Sequence, residues 1–109
     1  MNIEVRSRHI AIDDDTRAYV TRRLRFALDA LGRPGLRVIV RLDDVNGPRG
    51  GEDKVCRLLV RTGGATGLVI EERDRSLRTA VDRAADRLGH KLLRSLQRSR
   101  WAREAVPLG

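Results

Sequence analysis

A row of basic side chains recurs at helical spacing in the last third of the chain. Arginine and lysine bind phosphate oxygens, so such a row is suited to the backbone of a nucleic acid. Asp82 and Asp86 fall on the other flank of the same helix, and the sequence therefore predicts a cationic surface without carboxylates. An ordinary solvated helix side is the alternative. This basic row comprises Arg83, Arg87, His90, Lys91, Arg94 and Arg98.

Other chemically capable residues favour structural roles. The acidic triplet 13–15 begins a helix, where consecutive carboxylates point around the axis and cap it rather than converge on a metal ion. His9 and His90 have no partner ligands at the spacing of a zinc site. Cys56 alternates with core residues, and the glycine-rich segment 46–51 lacks the Gly-Lys-Ser/Thr of a phosphate loop. We expect no catalytic residues, no metal, no cofactor and no small-molecule substrate.

The net charge of +8 over 109 residues is concentrated in the second half of the chain. Residues 1–53 hold ten basic and nine acidic side chains, whereas residues 54–109 hold thirteen and six. This asymmetry indicates a polyanionic partner. No apolar run is long enough to span a membrane, and the single cysteine cannot form an internal disulfide, so we expect a cytoplasmic protein without a membrane partner.

Six elements must position these residues, in the order strand, helix, three strands, helix. Asp13 and Ser76 are suited to cap the two helices, and the strands alternate apolar and polar residues. The middle connection is long and rich in glycine. The predicted elements are a strand around Ile3 and Val5, a helix from Asp13 to about Leu31, strands over Leu36–Asp43, Lys54–Arg61 and Ala65–Glu71, and a helix from Ser76 that frays between Arg100 and Arg103.

This order predicts an α+β domain, β-α-β-β-β-α, with both helices packed on one side of a four-stranded sheet. The helix between the first two strands makes a crossover connection, so these strands should be parallel and the rest antiparallel. The uncovered side of the sheet should then carry arginines among apolar residues. We expect one domain over residues 1–103 and a flexible tail over 104–109. The uncovered side includes Arg37, Arg41, Arg57 and Arg61 with Ile39, Leu59 and Val69.

The chain resembles the ribosome hibernation-promoting factors, also called ribosome-associated inhibitor or protein Y, over roughly residues 2–100. The similar segments are Ile3–Arg6, Ile12–Asp13, Arg17–Leu24, Ser76–Asp82, Asp86–Leu88 and Lys91–Leu92. The resemblance implies a fold related to double-stranded-RNA-binding domains. The chain departs from the family pattern at Leu77–Arg78, where a Met-Tyr pair is usual, and in the longer loop that contains Asn46–Gly51.

The resemblance also implies a function. Members of this family occupy the messenger and transfer RNA channel of the small ribosomal subunit and silence translation, in a hibernation response to stress. Carried over by position, the basic row would contact ribosomal RNA, together with Arg22, Arg23 and Arg25 of the first helix. Long members add a second domain that pairs ribosomes, and we expect this chain to lack it.

Two alternatives stay open at this stage. The chain could be a general structured-RNA-binding module that acts away from the ribosome, or a protein-interaction module that recruits a partner through the uncovered side of its sheet. Trp101, among Arg98, Arg100 and Arg103, is equally suited to stack on a base or to fold back on the core.

Overall fold

The computed structural model describes residues 2–29, 36–45, 53–61 and 67–104, and it describes side chains as far as Arg94. The elements follow the predicted order. They are β1 (Asn2–Arg8), α1 (Asp14–Asp29), β2 (Arg37–Asp44), β3 (Lys54–Arg61), β4 (Leu68–Asp74) and α2 (Leu77–Glu104). No helix in these segments is long and apolar enough to cross a membrane.

The four strands form one sheet in the order β1-β2-β3-β4. β1 and β2 are parallel, while β2–β3 and β3–β4 are antiparallel, as the connections predicted. Both helices cover the same side of the sheet, and their apolar residues form one core with the inward residues of the strands. The α+β fold predicted from the sequence is confirmed.

The buried residues recur with the period of each element. Val20, Leu24 and Leu28 are buried on α1, and the inward residues of β2 and β3 alternate for the most part with half-buried or exposed ones. On α2 the buried larger residues Val81, Leu88 and Leu92 are joined by alanines, whose small side chains let the helix approach the sheet closely. The buried residues of α2 are Ala80, Val81, Ala84, Ala85, Leu88 and Leu92.

Both helix starts carry the predicted caps. The backbone N–H of Thr16 donates to Oδ1 of Asp13 at 2.7 Å, and that of Thr79 makes a longer 3.4 Å contact with Oγ of Ser76. The Asp13 hydrogen bonds also lower the pKa of its carboxyl group. Each cap satisfies a backbone donor that has no partner inside the helix.

The fourth strand differs from the prediction. It runs over Leu68–Asp74 rather than Ala65–Glu71, because β3 pairs residue by residue with this later segment, from Val60 opposite Leu68 to Lys54 opposite Asp74. The shift carries Glu72 and Asp74 into the sheet. The predicted first helix reached Leu31, which lies outside the described residues, as does the loop 46–52. Of the predicted tail 104–109, Glu104 belongs to α2 and residues 105–109 lie outside the described residues.

Candidate nucleic-acid interface

Two members of the basic row are paired with carboxylates of β4. Nη1 of Arg87 lies 2.8 Å from Oε1 of Glu72, and it donates to the Glu71 carbonyl oxygen at 3.2 Å. Nη1 of Arg83 lies 3.7 Å from Oδ1 of Asp74. The expectation of a surface without neighbouring carboxylates is wrong for these two arginines. These carboxylates belong to β4, and the periodicity of α2 gives no information about the side chains of a neighbouring strand.

Arg23 lies in the seam between the helices. Its Nε is 3.3 Å from Oδ1 of Asp82, and its Nη2 is 2.6 Å from Oδ1 of Asp86. The two aspartates thus lie on the flank of α2 that faces α1, away from the basic row, as the sequence predicted. One guanidinium is shared by two carboxylates, so Arg23 connects the helices. Its charge is largely engaged within the protein.

Four of the predicted cations keep their charge available to a partner, and the exposed His90 is adjacent in sequence to one of them. Arg22, Arg25 and Arg94 are exposed, and Lys91 is half-buried. None of these four forms an ion pair with any residue that the structure describes. The set, called here the helix cations, is Arg22 and Arg25 on α1 with Lys91 and Arg94 on α2. The side chain of Arg98 lies outside the described residues, as does that of Trp101.

An exposed aromatic residue accompanies the helix cations, and sequence reasoning missed it. Phe26 on α1 is 76% exposed and lines a shallow concavity with Arg22 and Arg25. The signal was present in the sequence, since Phe26 falls outside the apolar stripe of Val20, Leu24 and Leu28. An aromatic ring that stays in water beside two arginines is suited to contact a base or an apolar group of a partner.

The remaining titratable groups have structural explanations. Burial raises the pKa of the Cys56 thiol to about 12, which keeps it protonated and unreactive. Lys54 forms ion pairs with Asp44 at 2.9 Å and Asp53 at 3.2 Å, and the Asp44 hydrogen bond is the main cause of its raised pKa. Within the described segments, no group of three or more His, Cys, Asp or Glu side chains could hold a metal ion.

Comparison with solved structures supports the same family as the sequence resemblance. The N-terminal domain of Thermus thermophilus protein Y is 30% identical, with a TM-score of 0.70, over 86% of this chain and 98% of that chain. A ribosomal subunit interface protein from Coxiella burnetii has a TM-score of 0.64 at 14% identity, over 89% of this chain and 99% of that chain, which shows a shared fold. No curated protein matches.

The family assignment rests on nearly the whole chain. The family model described as Sigma 54 modulation protein / S30EA ribosomal protein matches residues 3–100, a span that includes all four strands and most of α2. Proteins of this family are non-enzymatic binding factors, which agrees with the interpretation of the sequence. The chain belongs to the Sigma 54 modulation protein / S30EA ribosomal protein family.

Proposed function

We propose that this protein is a translation inhibitor that binds the small ribosomal subunit of the cytoplasm and occupies its messenger and transfer RNA channel. The observation that carries the proposal is the family match over residues 3–100, joined to the helix cations, which have no ion-pair partner among the described residues. The names of the structural relatives, protein Y and a ribosomal subunit interface protein, point to the same partner.

The helix cations supply the proposed contact with ribosomal RNA. Each cation that meets a phosphate releases condensed counterions, so affinity should fall steeply as salt is raised. Lys91 and Arg94 are the strongest candidates on α2, because neighbouring Arg83 and Arg87 already interact with Asp74 and Glu72. Phe26 adds a ring that can stack on an unpaired base, since RNA recognition commonly uses such exposed aromatics.

A matched pair of variants tests this assignment. Lys91→Gln with Arg94→Gln removes two charges from the helix layer, and Arg41→Gln with Arg57→Gln removes two from the opposite side of the sheet. Binding to purified small subunits is measured by sedimentation across a salt series. We expect the helix variant to bind roughly tenfold more weakly or worse, with the slope of log affinity against log salt reduced by about two. The sheet variant should retain wild-type affinity.

The outcomes separate a defined interface from bulk electrostatics. Equal weakening by both double variants would mean that only net charge matters, and the proposed interface would be wrong. Competition tests the channel itself: messenger RNA with initiator transfer RNA should displace the bound protein. If the protein stays bound under that competition, it binds elsewhere on the subunit or acts as a general structured-RNA binder.

A further inference from the structure

The side of the sheet opposite the helices carries like charges directly across from each other. In the β2–β3 register Arg37 faces Arg61, and Arg41 faces Arg57. All four side chains are exposed. Opposed like charges destabilise an antiparallel pair. Two such pairs on one surface therefore lower the stability of the free domain, and an anionic partner would offset this repulsion when it binds.

Few carboxylates on this surface, called here the open sheet face, offset the arginines. Oε1 of Glu4 lies 3.0 Å from Nη2 of Arg6, its Oε2 lies 3.9 Å from Arg37, and Asp43 contacts His9 at 3.1 Å. Glu71 is opposite Arg57 in the register. The face holds seven arginines against these three acids, a difference of four positive charges. The arginines without an ion pair to a described residue are Arg8, Arg41, Arg57, Arg61 and Arg73.

An apolar row separates the two pairs of arginines. Ile39, Leu59 and Val69 lie side by side on β2, β3 and β4, and Val69 is 46% exposed. Adjacent strands are about 4.8 Å apart, and positions two residues away along a strand are about 6.6 Å apart. The apolar row therefore runs across the strands, with one pair of arginines on each side of it.

We propose that the open sheet face binds an acidic amphipathic helix of a partner protein, lying across the strands along the apolar row. A helix is about 10–12 Å wide, so apolar residues on its underside would cover Ile39, Leu59 and Val69. Carboxylates on its two flanks would then reach the arginine pairs on both sides. This site is on the opposite side of the sheet from the helix cations and does not depend on the proposed ribosomal contact.

The apolar row favours a protein over a nucleic acid as this partner. Single-stranded RNA is held mainly by aromatic stacking, and the row offers aliphatic side chains only. Phosphates placed over Ile39 and Leu59 would lose hydration without gaining a hydrogen bond. An acidic helix places apolar groups on the row and charges on the arginines, which satisfies both features.

The test uses a synthetic helical peptide with leucines along one side and glutamates on both flanks. Amide chemical shifts of the isotopically labelled protein are followed during titration. We expect the shifts to map to Ile39, Arg41, Arg57, Leu59 and Val69, and binding to weaken at least about tenfold in the Arg41→Gln, Arg57→Gln variant. Leu59→Ser should also weaken it, whereas the Lys91→Gln, Arg94→Gln variant should bind the peptide like the wild type.

Two further probes distinguish the rival outcomes. A peptide with lysines in place of the glutamates should not bind. A single-stranded RNA and an RNA duplex should shift amides of the helices rather than those of the open sheet face. The proposal is overturned if RNA and not the acidic peptide perturbs the sheet, or if the peptide binds without shifting the amides of the apolar row. Since the sheet variant should still bind ribosomes, this proposal and the ribosomal one can fail separately.

Discussion

The hydroxyl of Tyr19 on α1 donates a 2.5 Å hydrogen bond to Oδ1 of Asp82 on α2. Arg23 contacts the same carboxylate oxygen, and the guanidinium of Arg78 lies 4.6 Å from the centre of the Tyr19 ring. The two helices are therefore joined by a polar cluster as well as by the apolar core beneath them. This cluster fixes the position of α1 relative to α2, and with it the relative position of the helix cations on the two helices.

Replacement of Tyr19 by Phe should make the free energy of unfolding less sensitive to pH in alkaline solution. The hydrogen bond to Asp82, followed by burial and the charge of Asp82, raises the pKa of the phenol above 10.0. The stabilising form is the protonated one, so the contribution is complete below pH 10.0 and is lost as pH rises through the higher folded-state pKa. Denaturant unfolding should show a cost of about 1 kcal/mol near neutral pH. The wild type should lose that advantage in alkaline solution, and a pH-independent difference would contradict this assignment.

Substitutions of Arg23 and of its near neighbour Arg25 should have opposite effects on stability and on ribosome binding. Arg23→Gln leaves Asp82 and Asp86 without their shared guanidinium, and the free energy of unfolding should fall by about 1 kcal/mol. Arg25→Gln alters an exposed side chain, so its effect on stability should stay within about 0.5 kcal/mol. Ribosome binding should respond in the opposite way, with only Arg25→Gln reducing affinity severalfold. Denaturant unfolding and subunit sedimentation of both variants check this, and the reverse pattern would place Arg23 in the interface.

Gly89 in the middle of α2 should be replaceable by alanine with a gain in stability. A Cβ atom built at this position meets no heavy atom within 4 Å, so a methyl group fits without rearrangement. Alanine restricts the unfolded chain and favours the helix, which should add about 0.5–1 kcal/mol to the free energy of unfolding. Thermal and denaturant unfolding of Gly89→Ala measure this. A loss of stability would indicate that this part of α2 is not helical in solution.

The sequence predicted the elements well where one periodicity dominates. Val38, Val40 and Leu42 are buried and alternate with half-buried or exposed residues, and β3 was predicted with the bounds that the structure shows. β4 was placed three residues too early because its inward positions include charged residues. Glu72 and Asp74 lie on the helix side of the sheet, where α2 arginines compensate them. A prediction that expects only apolar residues at inward positions misses a strand end of this kind.

The candidate site was harder to predict than the fold, because charge pairing depends on contacts distant in sequence. Arg87 and Glu72 are fifteen positions apart, and Arg23 and Asp86 are sixty-three apart. Helical periodicity orders side chains around one axis and carries no information about a neighbouring strand or helix. Three of the predicted RNA contacts, Arg23, Arg83 and Arg87, therefore also form ion pairs within the domain, while the helix cations have no ion-pair partner among the described residues.

β1 and β4 are the edge strands of the sheet. Charged residues recur along both, with Glu4, Arg6 and Arg8 on one and Glu71, Arg73 and Asp74 on the other. A strand from another molecule that paired with either edge would place its own side chains beside these charges, which disfavours edge-to-edge association of copies. Copies of the domain should therefore resist edge-to-edge pairing, and a protein that docks on it is expected to approach across the sheet rather than extend it.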